Sequence, residues 1–198
     1  MHWIDSIKEF VPFNAQEQKD KETTLKYINM FGDILKRENE LVHMTSSGFV
    51  INKNQDKVLM VHHNIFNSWS LTGGHADGEE NLLGVAMREI TEETGVKAIH
   101  PVTDKMVSLD ILPVFGHSKK GKYIPSHLHI SVTYLFEADE NEQIIIQPDE
   151  NSNVQWIPIH QIDIYSNEPH MIKVYNKIIS KIRKTYFDKK NLEWSNHG

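Results

Sequence analysis

Three glutamates within five residues, Glu89, Glu92 and Glu93, are the residues of this 198-residue chain best spaced to do chemistry. Helix positions three and four apart share one face within about one turn, so the three carboxylates would project together. Like charges that close repel and raise one another's pKa values. On a solvated face the penalty is small and glutamate is a good helix former, so a plain surface patch is one reading. Leu82, Val85 and Ala86 lie one and two turns earlier on the same stripe, and an apolar stripe faces the core. The carboxylates would continue that stripe toward the protein body or a cleft in it. Burying such a cluster is expensive unless positive charge sits among the anions. Arg88 supplies one charge, off the centre of the stripe. A divalent cation would supply more, and carboxylate oxygens without His or Cys donors suit Mg²⁺ or Mn²⁺ over zinc. Spacing alone leaves both readings open.

The elements that must position these residues follow from periodicity. A helix is predicted over residues 80–94, with Asp77 and Glu80 at capping-box spacing and Gly95 where helices commonly end. Ahead of it, residues 41–51 and 58–62 read as strands across a turn-like 52–57, and Trp69 and Leu71 alternate into Gly73-Gly74. Residues 1–38 read as a helical extension, with Leu25, Ile28, Phe31, Ile34 and Leu35 at helical spacing. Further strands are predicted near 106–115, 128–137, 143–146 and 154–157, followed by an amphipathic helix over 169–187 carrying Ile172, Tyr175, Ile178, Ile179 and Ile182. The tail after 188 reads as frayed. This order predicts an α/β fold, a single α/β/α sandwich with a mixed β-sheet over 39–198, plus N-terminal and C-terminal helical extensions.

Gly74, Glu80, Arg88, Glu89, Ile90, Glu92, Glu93, Gly95 and Val96 match the Nudix box, G-x5-E-x7-R-E-U-x-E-E-x-G-U with U apolar, at every defined position. Residue identities at so many fixed spacings are a specific signal. The chain therefore resembles the Nudix hydrolases, and more loosely a bacterial subgroup of unassigned substrate with a helical N-terminal extension. Trp69 ahead of the glycines, His75 in the loop and Trp156-Ile157-Pro158 agree with it. The resemblance implies an α/β/α sandwich and water attack on phosphorus in a nucleoside diphosphate linked to another group. It implies that Glu89, Glu92 and Glu93 coordinate Mg²⁺ or Mn²⁺, one of them doubling as general base, with the Gly74 carbonyl as a further ligand. Arg88 and Glu80 become the pair that orients the cluster; a simple surface ion pair is the plainer alternative.

Many members of that family recruit another acid from outside the box. Glu137, Glu140, Glu142, Asp149 and Glu150 are candidates here; Glu150, ahead of the Trp156 strand, is preferred among them, and a merely solvated loop glutamate explains it at least as well. His75 could touch phosphate or simply fill a turn. His127 and His129 alternate on one strand face, where they could share a metal, contact substrate or form a cross-strand pair. Trp69 and Phe66 could stack on a base, although packing explains them as well. Lys119, with Lys120 and Lys122, lies in a long loop (116–126) that could face phosphate or only solvent.

Composition bounds the function classes. There is no cysteine, which excludes disulfides, thiolate sites and a cysteine-dependent isomerase on the same fold. A net charge of -6 disfavours nucleic acid as a partner. The charged start does not read as a signal peptide and no stretch reads as a membrane span, so cytoplasm is the expected location. A small phosphate-anhydride substrate is the expected partner; dimerisation through the terminal helices stays open. Two rivals use the same fold: a nucleotide sensor without turnover, which the complete box disfavours, and an RNA-end pyrophosphohydrolase, which would want a basic track.

Overall fold

The structure, a computed structural model, describes residues 2–65, 67–119, 121–149 and 151–187. Its centre is two long strands, β1 (Val42–Asn52) and β9 (His127–Ala138), paired in parallel from Val42↔Leu128 to Asn52↔Ala138. Both are rich in β-branched and aromatic residues and almost continuously buried, as expected for strands covered on two faces. β2 (Lys57–His63) returns antiparallel along β1, and β10 (Asn151–Pro158) runs antiparallel along β2. β5 (Ile99–Pro101) and β6 (Ser108–Val114) pair with β9, while the short β3 (Ser68–Ser70) and β4 (Thr72–His75) pair with β2 and β1. The result is a mixed eight-stranded sheet.

Alternation along β1 divides the core in two. Val42, Met44 and Val50 join Leu82, Ala86 and Ile90 of helix α3 (Leu82–Thr94) in one cluster. Phe49 and Ile51 join Tyr175, Ile178, Ile179 and Ile182 of helix α5 (Pro169–Thr185) in the other. Helix, sheet and helix therefore form the expected three layers. The approach of α3 to the sheet is close enough that a Cβ on Gly48 would lie 2.5 Å from Ile90 Cδ1.

The N-terminal segment differs from one continuous helical stretch. Helix α1 (Trp3–Glu9) and helix α2 (Ala15–Met30) are separated by Val11-Pro12-Phe13, where the proline interrupts the backbone ladder, and Asn14 caps α2 by accepting from Glu17 N–H at 2.9 Å. Past Met30 the chain turns, yet Ile34 stays 3% exposed and its carbonyl accepts from Met44 N–H at 2.8 Å. Trp3, Ile7 and Phe10 reach the same cluster as α3. Beneath them, Glu17 of α2 meets Lys177 of α5 at 3.1 Å, and Lys177 also pairs with Asp110 of β6.

Two further departures have local causes. The strand expected at 143–146 is absent: Ile145 N–H donates to the Thr94 carbonyl at 2.7 Å, so this segment closes the C-terminal end of α3 instead of joining the sheet. The lysine-bearing loop contains a hairpin, β7 (His117–Lys119) with β8 (Lys122–Ile124). A short helix α4 (Ile162–Tyr165) precedes α5. No helix among the described residues is long and apolar enough to cross a membrane. The frayed-tail expectation after 188 lies outside the described residues.

Candidate active site

β4 delivers the site. Gly73 and Gly74 pair with Ser47 and Ser46 of β1, after which the chain leaves the sheet through Asp77 and Gly78, both at positive φ. Arg37 holds that turn by a bidentate pair with Asp77, whose carboxyl is pulled below its ordinary range by the guanidinium. The helix then starts at Leu82, two residues later than the capping-box spacing suggests. Asn81 is the cap, accepting from Gly84 N–H at 3.1 Å, so Asp77 serves the turn and not the helix. Gly95 ends α3 in the left-handed conformation at φ 76°, where an L side chain would be strained.

Leu82, Val85, Ala86, Ile90 and Glu93 are all buried, so the apolar stripe does carry carboxylates inward. The burial is graded, however. Glu93 is 7% exposed, the Glu89 side chain 17%, and the Glu92 side chain 59%. The reason is helical rotation: Glu89 and Glu93 stack along the stripe, whereas Glu92 follows Arg88 by four residues on its solvent side. The expectation of three uniformly inward groups is therefore corrected to two sunken carboxylates and one at the rim.

Arg88 bridges the rim. Its guanidinium lies 2.5 Å from Glu79, 3.5 Å from Glu89 and 3.9 Å from Glu92. Its main partner is thus Glu79, and these acids hold the Arg88 pKa above its ordinary value, the Glu79 hydrogen bond foremost. Glu80 faces elsewhere, with a 61% exposed side chain 3.5 Å from His2. The shift from Glu80 to Glu79 accompanies the left-handed turn just before it, and sequence spacing carried no signal of it.

Gly74 lies directly under Glu89. A Cβ at Gly74 would sit 2.5 Å from Glu89 Oε2 and 2.6 Å from Oε1, so only glycine leaves this carboxylate room against the β4 backbone. Were Glu89, Glu92, Glu93 and the Gly74 carbonyl to act as ligands together, that all-oxygen set, beside a cradle that a methyl would fill, would suit a hard divalent cation. Arg88 alone leaves the local charge negative.

The remaining sequence candidates separate. His75, His127 and His129 come together on the opposite face of the sheet, since His75 follows Gly74 by one residue and His129 pairs with His43 in register. Sequence reasoning missed His43; only its alternation along β1 could have indicated it. Ring centroids of His43 lie 5.0, 4.8 and 4.9 Å from those of His75, His127 and His129. Burial lowers the pKa of His43 and takes that of His129 down to about 2. Trp69 packs edge-on to His62 and Tyr165 at 5.5 and 5.9 Å and lies against the α5 cluster, which gives it a packing role. Lys119 falls in the β7–β8 hairpin; Phe66, Lys120 and Glu150 lie outside the described residues. Of the other acids outside the box, Glu140 pairs with Lys57 at 2.5 Å and Glu142 accepts from Lys97 N–H at 2.7 Å, so both already serve structure.

The site thus sits on a three-layer α/β/α body in which a glycine strand feeds an acidic helix. The chain belongs to the NUDIX domain family, whose sequence model matches residues 42–178, and it is a Nudix hydrolase. It is 29% identical over 140 residues to a probable DHNTP pyrophosphohydrolase of Lactococcus lactis, covering 70% of this chain and 80% of that one. It is also 29% identical over 123 residues to an RNA pyrophosphohydrolase of Brucella anthropi, covering 58% and 70%. Among solved structures, a C. elegans Ap4A hydrolase superposes with a TM-score of 0.51 at 14% identity, covering 71% of this chain and 98% of the other. A Nudix hydrolase from M. smegmatis does so at 0.51 and 14%, covering 74% and 89%. At such identities these two similarities establish the fold alone.

Proposed function

We propose that the chain hydrolyses a pyrophosphate linkage in a nucleoside diphosphate-X type substrate, with Mg²⁺ or Mn²⁺ held by Glu89, Glu92, Glu93 and the Gly74 carbonyl. The observation that carries this reading is the Glu89 carboxylate seated on Gly74, beside a second sunken carboxylate at Glu93. A bound divalent cation would neutralise the anionic pyrophosphate and acidify the attacking water. Arg88 holds Glu89 and Glu92 in register from the rim, with Glu79 bracing its far side. Glu92, the most solvent-accessible of the three, is best placed to exchange a proton with water. Such general-base work contributes about 10² to 10⁴ in rate. The buried stripe beneath the acids fixes their backbone, so little reorganisation is left for the reacting complex.

The small-molecule reading is preferred over the RNA-end one, which the Brucella relative raises, because the net charge is -6 and backbone phosphates need a basic track. A phosphate-release screen over nucleoside triphosphates, dinucleoside polyphosphates, nucleotide sugars and 5′-triphosphate RNA tests both. Turnover of at least one small anhydride, abolished by chelator and restored by Mg²⁺ or Mn²⁺, is expected. No metal-dependent release from any of them would overturn the reading, and release from RNA alone would replace it with the rival.

A further inference from the structure

The four histidines on the face away from the carboxylates form a cluster to which the proposed hydrolysis assigns no role. His43 of β1, His129 of β9 and His75 of β4 each offer a ring nitrogen, and the three atoms lie within 4.8 Å of one another. His43 Nδ1 lies 2.8 Å from the Asn39 carbonyl. A carbonyl only accepts, so that nitrogen carries the proton and Nε2 presents a lone pair. Among the described residues, His43 Nε2 is buried without a hydrogen-bond partner. His127 repeats the pattern: its Nδ1 donates to the Pro125 carbonyl at 2.9 Å, leaving the Nε2 lone pair 3.2 Å from Nε2 of His129. A backbone carbonyl that fixes one ring nitrogen and aims the other inward is the outer-shell arrangement of metal-binding histidines.

We propose that His43, His75 and His129 form a second metal site, for a zinc-class divalent transition ion, with His127 in reach as a fourth ligand. Three atoms so spaced leave a central point within about 3 Å of each, and small ring rotations bring that to the roughly 2.0–2.1 Å of a Zn–N bond. Neutral imidazoles select Zn²⁺ and its late first-row neighbours, whereas Mg²⁺ prefers the oxygens on the other face. An anion is a poorer occupant, because it would want charged rings and burial disfavours the charge. The ligands come from three adjacent strands, so the ion would tie β4 to β1 and β9 at the residue after Gly74, where β4 ends. This inference does not depend on the reading of the carboxylate site.

The test uses the full chain, stripped with chelator and titrated with Zn²⁺ against a competing chromophoric chelator. One Zn²⁺ per chain is expected at the histidines. His75→Ala, at a half-buried position, and His129→Gln should each weaken it by at least about 10²-fold, beyond the loss typical of an outer-shell partner. Glu89→Gln and Glu93→Gln should leave that affinity unchanged. X-ray absorption at the zinc edge, on the unsubstituted protein, should give only imidazole nitrogen and light-atom ligands at about 2.0–2.1 Å, a readout that requires no variant to fold. Absence of stoichiometric binding, or binding that is lost with the glutamates and kept with the histidine substitutions, would overturn the proposal.

Discussion

Gly74 and Glu89 share a space that one methyl group would contest, with the Glu89 carboxylate oxygens 2.5 and 2.6 Å from where a Cβ on Gly74 would stand. Gly74→Ala should therefore move the carboxylate without disturbing the core, since the obstacle is the far end of a flexible side chain. A displacement on the order of 1 Å at a reacting centre costs about 10²-fold in rate. Turnover of Gly74→Ala should fall by about that factor with a nearly unchanged thermal midpoint. Full activity in the variant would mean that Glu89 does not work from this position.

Arg88 distinguishes two neighbouring acids. Its 2.5 Å partner is Glu79, while Glu80 points toward His2. Glu79→Gln should lower turnover ~10-fold, as removal of an outer partner of metal-binding carboxylates does, and Glu80→Gln should do markedly less. Stability should change by no more than about 1 kcal/mol in either case, because Glu80 is exposed and Glu79 only half-buried. Steady-state rates and denaturant unfolding of the two variants side by side decide it; a larger loss for Glu80→Gln would reverse the assignment.

The N-terminal helices are anchored by charge. Glu17 is fully buried, the Asp110 side chain 2% exposed and that of Lys177 7%, and Lys177 pairs with both acids. Lys181, its neighbour one turn on, reaches Glu17 at 3.3 Å and has its pKa lowered, chiefly by burial. Removing one partner from a buried network leaves an uncompensated charge and costs about 3–5 kcal/mol. Lys177→Met should therefore lose stability of that order in chemical denaturation while keeping its activity under conditions where it is folded. A loss below about 1 kcal/mol would show that the network contributes little.

Much of this arrangement was legible in the residues. The apolar stripe at Leu82, Val85 and Ala86 forecast which side of α3 is buried, and Gly95 forecast its end, because both depend on local periodicity and backbone freedom. Long strands such as β1 and β9 announced themselves by β-branched and aromatic residues between turn-like segments. What depended on tertiary partners was hidden. The helix begins at Leu82 and not Glu80 because Asn81 outcompetes the Asp77–Glu80 spacing once Arg37 has claimed Asp77. Ile144 and Ile145 carry strand-like residues but meet the end of α3 before any strand. His43 stood in a strand with nothing nearby in sequence to mark it; two other strands, β4 and β9, had to pair with β1 before its partners appeared. The graded exposure of Glu89, Glu93 and Glu92 likewise follows from how α3 is rotated against the sheet, which spacing cannot specify.

Chelation should separate the two faces of the sheet. Adding Mg²⁺ back to stripped protein should restore turnover, whereas Zn²⁺ alone should raise the thermal midpoint through preferential binding to the folded chain without restoring full activity. His75→Ala should lose the zinc-dependent rise and keep the magnesium dependence. Loss of both together would indicate a single site.

The central claim is that the carboxylates of α3 hold the divalent ion on which hydrolysis depends. Its most direct measurement is turnover of Glu92→Gln and Glu93→Gln at saturating Mg²⁺, alongside circular dichroism of each, on a substrate found active for the unsubstituted chain. A drop of at least about 10² in each, with the fold retained, is the predicted result. Unchanged turnover in both would contradict it.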